Sequence, residues 1–296
     1  RRNYVSLRRL ENALAKAPSL FNQDEELEQL QAIRKWSRDT TDGSLSDLDF
    51  RPSPGLWDEV ASDQSNCLGR SCPAYSKCLY YKARQRSRNA QILIVNHALF
   101  FSDLALRREG ASILPEYDAV IFDEAHTLEA VASDHFGLSV TSGQVQFTLS
   151  RLWNERTRKG LLKDYPMDQG ASLVVDCRQR AEDFFDQLYE IQARNPQSNG
   201  RVDRPDIIEN DLSPILDRLA AQLRKWSNQE DKEDRKLDLR SASDRLSALS
   251  QSVAAWLGHQ NEDAVHWMES SLPPRGGPRA QLRAAPIDVG PSLRDH

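Results

Sequence analysis

The chain has 296 residues, 39% of them hydrophobic and 28% charged, with a formal net charge of −5. That hydrophobic share excludes a disordered polymer, and the length leaves room for about two domains with a sizeable core. The negative total excludes a uniformly basic nucleic-acid coat. No run approaches the ~18 apolar residues of a membrane span, and no signal-peptide pattern opens the chain, so a cytoplasmic protein is expected.

The chain begins Arg1-Arg2 without a Met, so an internal piece of a longer protein is the expectation. A short helix is predicted over Ser6–Lys16, and a second from an Asn22 cap to about Arg38, with Leu27, Leu30, Ile33 and Trp36 as its stripe. Asp39–Gly55 is rich in Asp, Ser, Thr, Pro and Gly and reads as loop. Asp24–Asp63 carries eleven acidic residues against four basic, whereas the 39 residues Gln64–Ser102 carry no acid and six basic residues. Such local asymmetry favours a polyanionic partner.

Cys67, Cys72 and Cys78 lie within that basic stretch. Without a secretory signal, such crowding points to a metal or cluster more than to disulfides. Soft thiolates suit an iron–sulfur cluster or zinc, but the spacing is not the Cys-x2-Cys of common zinc sites, and three ligands do not complete a four-thiolate set. Free thiols are the plain alternative. The lone Cys177 falls on an apolar helix face and reads as core. Tyr75, Tyr80 and Tyr81 interleave with Lys77, Lys82, Arg84, Arg86 and Arg88, in a segment of helical composition over Lys77–Arg88. Aromatic faces stack on unpaired bases while cations follow phosphates; a solvated helix face with packing tyrosines is the alternative.

The apolar run Gln91–Val95 predicts a buried parallel strand, Phe100–Glu109 a helix, and Ala119–Phe122 a second strand. Strand, helix and strand would make one βαβ unit of a parallel sheet. Asn96-His97 follows the first strand, where a ligand site and a structural hydrogen-bonding role are both reasonable. Asp123-Glu124-Ala125-His126 follows the second. Two adjacent carboxylates at a strand's carboxyl end lie where α/β sheets bind ligands. In nucleotide hydrolysis Asp123 would hold Mg²⁺, Glu124 would act as general base, and His126 would link the site to neighbouring motifs. The alternative is an acidic first helical turn. No Gly-x4-Gly-Lys-Ser/Thr phosphate loop occurs in the sequence.

From about Ser142 to Gln260 the chain is predicted wholly helical, with three-to-four spacing through Val174, Cys177, Ala181, Phe184, Leu188 and Ile191. The same spacing holds through Ile215, Leu219, Leu223 and Trp226, and through Leu246, Leu249, Val253 and Trp256. Asn195–Arg204 and Asn228–Arg235 would be its loops, and four helices an antiparallel domain. Ala264–Met268 and Gln281–Ala285 read as strands around a Pro/Gly turn at Pro273–Pro278.

These pieces together resemble the DinG/XPD group of superfamily 2 DNA helicases, its bacterial DinG branch above all. The resemblance rests on Pro54–Val60, Asn66–Pro73, Cys78–Arg84, Val95–Leu99 and Asp123–His126, which stand in the family's order. It implies an α/β fold with α insertions: part of a RecA-like motor domain over 1–20, an iron–sulfur domain over 21–90, and the motor domain with its acidic motif over 91–140. A helical Arch domain over 141–262 and a return to the motor domain over 263–296 would complete it.

The resemblance further implies a [4Fe–4S] cluster on Cys67, Cys72 and Cys78, with Mg²⁺ and ATP bound by the full-length enzyme. ATP hydrolysis would drive translocation 5′ to 3′ on single-stranded DNA and unwinding of forked or structured duplex. The phosphate loop and second motor domain would be supplied by missing segments of the same polypeptide, so this piece alone would be inactive. One position departs from the pattern: Ser6, after Asn3-Tyr4-Val5, stands where the family has its first cluster cysteine. A hydroxyl is harder and less readily deprotonated than a thiol, which implies weaker cluster retention. A non-catalytic nucleic-acid-binding module stapled by a metal or cluster is the rival reading, and a helical scaffold the third.

Overall fold

A computed structural model describes residues 1–15, 24–63, 67–108, 111–166, 169–194, 199–260, 263–273 and 277–290. The chain divides into two compact units, Arg1–Ile94 with Leu114–Glu116, and Val95–Ile113 with Tyr117–His296. The Asn22 cap, the start of the Asn195–Arg204 loop and the middle of the Pro/Gly turn lie outside the described residues.

The first unit is built on α1 (Leu7–Ala15), α2 (Asp24–Asp39), α3 (Pro54–Val60) and α4 (Leu79–Arg88). Its core gathers Val5, Leu10, Leu30, Ile33, Leu56, Trp57, Val60 and Leu79. Ser53 caps α3 by accepting from Leu56 N, with Pro54 preset at the first helical position. The Arg9 guanidinium closes the other end of α3, donating to Asp58 O at 2.7 Å and Ala61 O at 2.6 Å. Those carbonyls have no partner within the helix, and a cation there also suits the helix dipole. Gly43 is in the left-handed region at φ +72°, and a Cβ there would sit 2.4 Å from Leu79 Cδ1. Its bare Cα lets the 43–45 loop close over the core.

The second unit contains α5 (His97–Arg108), α6 (Leu128–Phe136), β1 (Leu138–Thr141), α7 (Ser142–Leu152), α8 (Ala171–Ala193), α9 (Leu212–Gln229), α10 (Glu233–Leu257), β2 (Ala264–Ser271) and β3 (Arg279–Pro286). The strands form an antiparallel sheet in the order β1-β3-β2, with Val140 opposite Leu282 and Leu282 opposite Met268. Those three point into one core with Val174, Cys177, Leu188, Leu219, Leu223, Leu246, Val253 and Trp256. Trp256 is fully buried and donates Nε1–H to Arg283 O at 2.8 Å, tying α10 to the sheet. Buried serines sew α9 to α10: Ser213 and Ser250 each donate to the other's carbonyl at 2.9 and 3.1 Å, and Ser243 donates to Ala220 O at 2.8 Å. Their small side chains permit close helix approach without leaving a buried hydroxyl unpaired.

Several expectations need correction. The runs 91–95 and 119–122 are not strands, and the described residues hold no parallel sheet. A strand needs a ladder partner for its N–H and C=O groups. Neither run has one among the described residues, and Ile92, Ile94 and Ile121 are 84%, 97% and 96% exposed. The region after Ser142 is not wholly helical, because 153–166 is built of turns. Gly160, at φ +143°, passes so close that a Cβ would sit 2.3 Å from Leu152 O. The expected loop 228–235 shrinks to the residues between Gln229 and Glu233, since polar side chains on the outer helix faces continue both helices. The strands around the Pro/Gly turn are present as β2 and β3. No described helix is long and apolar enough to cross a membrane.

Candidate functional site

Asp123, Glu124 and His126 stand exposed just before α6. Glu124 lies in the left-handed region, φ 48° and ψ 46°, uncommon for a residue with a Cβ and a mark of an imposed conformation. Its amide donates to Asp123 Oδ1 at 2.9 Å, and its carbonyl accepts from Thr127 N at 2.9 Å and Thr127 Oγ1 at 3.0 Å. A one-turn 3-10 helix, Ala125–Thr127, follows from that bend. His126 Nδ1 lies 3.3 Å from Glu124 Oε2, an exposed pair whose energy is small but which directs the carboxylate.

The same turn reaches Asn96-His97. Asn96 Oδ1 accepts from Leu99 N at 2.9 Å, capping α5 and fixing where His97 begins. His97 Nδ1 lies 3.2 Å from Thr127 Oγ1. With the Thr127 hydrogen given to Glu124 O, its oxygen accepts from the imidazole N–H, which sets the tautomer. Phe122 packs edge-on to both His97 and Phe100, at 6.0 and 5.1 Å between centroids. The structure therefore brings Asn96-His97 and the acidic motif together through Thr127, a residue sequence reasoning missed. A hydroxyl one step beyond the motif was its only sequence signal.

In the first unit the aromatic residues form a cluster of their own. Tyr75 lies 4.9 Å from Tyr81, Tyr81 5.6 Å from Tyr80, and Tyr80 5.9 Å from Tyr4. The Arg1 guanidinium covers Tyr80 at 4.4 Å. The rings thus pack edge-on or tilted against each other, with Arg1 over Tyr80, and each is only partly exposed. Arg86 is paired with Asp42 at 2.8 Å, so its charge is shared. Lys77, Lys82 and Arg88 stand exposed, and Arg84 is partly buried.

The three clustered cysteines stand as separate thiols. Cys67, Cys72 and Cys78 are each partly exposed and unbridged, and Cys67 Sγ accepts from Gly69 N at 3.4 Å. Among the described residues no three His, Cys, Asp or Glu side chains gather as a metal site requires. Ser6 is engaged elsewhere: its Oγ accepts from Arg9 N at 3.4 Å as the cap of α1, and its amide donates to Val60 O at 2.8 Å. As arranged, the described donors are not gathered around a common point.

Residues 64–145 match the DEAD_2 family. Around that stretch the chain is similar to helicases of the DinG type. It is 35% identical over 147 residues to the ATP-dependent DNA helicase YoaA of Haemophilus influenzae and 38% identical over 147 residues to that of Escherichia coli. Each match covers 49% of this chain and 23% of the relative. The 3′-5′ exonuclease DinG of Bacillus subtilis is 31% identical over 162 residues, 54% of this chain and 16% of that protein. The chain thus spans about a quarter or less of the relatives it matches. The DEAD_2 match includes the three clustered cysteines, the basic–aromatic helix and the acidic motif together.

Proposed function

We propose that this chain is part of an ATP-dependent DNA helicase acting 5′ to 3′ on single-stranded DNA, with hydrolysis at Asp123-Glu124 in the longer polypeptide. The observation that supports this best is the hydrogen-bonded set joining Asp123, Glu124 and His126 through Thr127 to His97. Asp123 and Glu124 are a pair with divisible roles. Asp123 would hold Mg²⁺, which when bound neutralises phosphate charge, and Glu124 would take the proton of the attacking water. The bend at Glu124 and the His126 contact aim that carboxylate, and Thr127 ties the Glu124 backbone carbonyl to His97 of α5.

The exposed Lys77, Lys82 and Arg88, with Arg84 beside them, would follow the phosphates of a single strand, with the tyrosine cluster alongside. A [4Fe–4S] cluster on Cys67, Cys72 and Cys78, the domain division given above, forked or structured duplex as substrate, and a cytoplasmic setting are parts of the same proposal. In the longer polypeptide, Glu124→Gln should lower ATP turnover by about 10² to 10⁴ and leave oligonucleotide affinity within about twofold. Turnover close to the unmodified level would remove the base assignment.

The second reading is a nucleic-acid-binding module without catalysis, which the exposure of Asp123, Glu124 and His126 favours. It expects oligonucleotide binding with no ATP turnover from the longer polypeptide.

A further inference from the structure

The sheet of the second unit has one face on the core and one face turned away from it. Alternation puts Val140, His266, Met268, Leu282 and Ala284 inward, and leaves Ser139, Trp267, Glu269, Arg279 and Arg283 on the other side. Arg283 lies opposite Trp267 on one side and Ser139 on the other. Its guanidinium sits 5.3 Å from the Trp267 ring centroid.

Beyond β2 a further segment extends this row. Arg201 bridges to Trp267, held by Val202 N donating to His266 O and Met268 N donating to Gly200 O, both at 2.9 Å. That is the pairing without mutual hydrogen bonds, in which facing side chains come closest, with Cα atoms about 4.5 Å apart. The approach needs Gly200: it sits at φ +82°, and a Cβ there would lie 2.2 Å from Met268 O. The result is a row of Arg201, Trp267, Arg283 and Ser139 across four neighbouring segments, with the two guanidinium residues about 9 to 10 Å apart at the backbone. Trp267 Nε1–H donates to Glu269 Oε1 at 3.1 Å, which holds the indole in place and occupies that carboxylate. Arg201 is 58% exposed at its side chain and is steadied by Asp203 at 2.7 Å.

We propose that this open sheet face is a second contact for single-stranded nucleic acid. Trp267 would stack on a base and Arg201 and Arg283 would take the flanking phosphates. The inference rests on the reading of the polypeptide as a single-strand-binding helicase. What selects the occupant is the row itself. A cation, an aromatic ring and a cation in line match a base between phosphates, and the row lacks the aliphatic cluster an apolar partner would need.

The test uses the whole chain and a fluorescein-labelled oligodeoxynucleotide bearing 5-bromodeoxyuridine. Ultraviolet crosslinking should place adducts on Trp267 of the unmodified chain. Trp267→Ala should weaken anisotropy-measured binding about tenfold while Trp267→Phe keeps most of it. The Arg201→Ala, Arg283→Ala pair should reduce the log–log salt slope by about 1.4, and Arg283→Lys should retain its share. Unchanged affinity and slope, with adducts confined to the first unit and Lys82→Ala weakened, would overturn the proposal and leave the helicase reading standing. Adducts at Trp267 with Lys82→Ala unaffected would do the reverse. No binding by the unmodified chain would overturn both.

Discussion

Ser6 shows how one atom changes the reading of a segment. An oxygen there caps α1 and joins the backbone network that seals the end of α3. If a cluster forms on Cys67, Cys72 and Cys78, Ser6→Cys should raise iron and acid-labile sulfide in anaerobically purified protein. The same change should cost about 1 kcal/mol of cluster-free stability through the lost cap. Equal iron in both forms would count against Ser6 as the missing ligand.

His266 is the second residue with a measurable signature. It is buried, and its ring stacks on His259 at 3.9 Å with 9° between planes. His259 Nε2 is itself buried without a hydrogen-bond partner among the described residues. Burial first, and then the neighbouring His259, hold the His266 pKa below its ordinary 6.5. The folded state therefore binds fewer protons than the unfolded state. The contribution is complete above about pH 6.5 and is lost as pH falls through that value toward the lowered folded pKa. Thermal melts of the chain should show an acid limb starting there, and His266→Phe should flatten it. A limb unchanged by the substitution would place its origin elsewhere.

At the scale of elements, α9 and α10 form a hairpin whose apolar stripes were legible from spacing, because the helix period repeats every three to four residues. Its close packing was not. Ser213, Ser243 and Ser250 stand outside those apolar stripes, yet each is buried with a carbonyl partner on the facing helix. Leu219 is fully buried within this seam, so Leu219→Ala should destabilise the fold by about 2–5 kcal/mol in denaturant melts. A cost under about 1 kcal/mol would show that the seam collapses freely around the gap. The β2–β3 hairpin was legible too, by two apolar runs around a Pro/Gly turn. The joining of β1 and of the Arg201 segment to the same sheet was not, because pairings distant in sequence leave no local period.

For the whole molecule, the chain divides into two compact units whose bounds composition did not give. Composition did expose a charge asymmetry that the net −5 conceals. The acidic motif, the cysteines and the basic–aromatic stretch were identifiable as motifs because their chemistry is carried by residue type and short spacing. They fall together within the 64–145 match.

What spacing could not determine was which side chains meet. Ile92, Ile94 and Ile121 have strand character, but strands exist only as pairs, and these runs lack ladders among the described residues. Three cysteines within twelve residues suggested a gathered site, but their side chains do not converge. The sequence alone determined the motifs and the helix faces, since both are local properties of the chain. Tertiary structure alone decided that Thr127 joins His97 to Glu124 and that Arg201 lines up with Trp267 and Arg283. Those contacts depend on backbone bends and strand registers set by packing elsewhere.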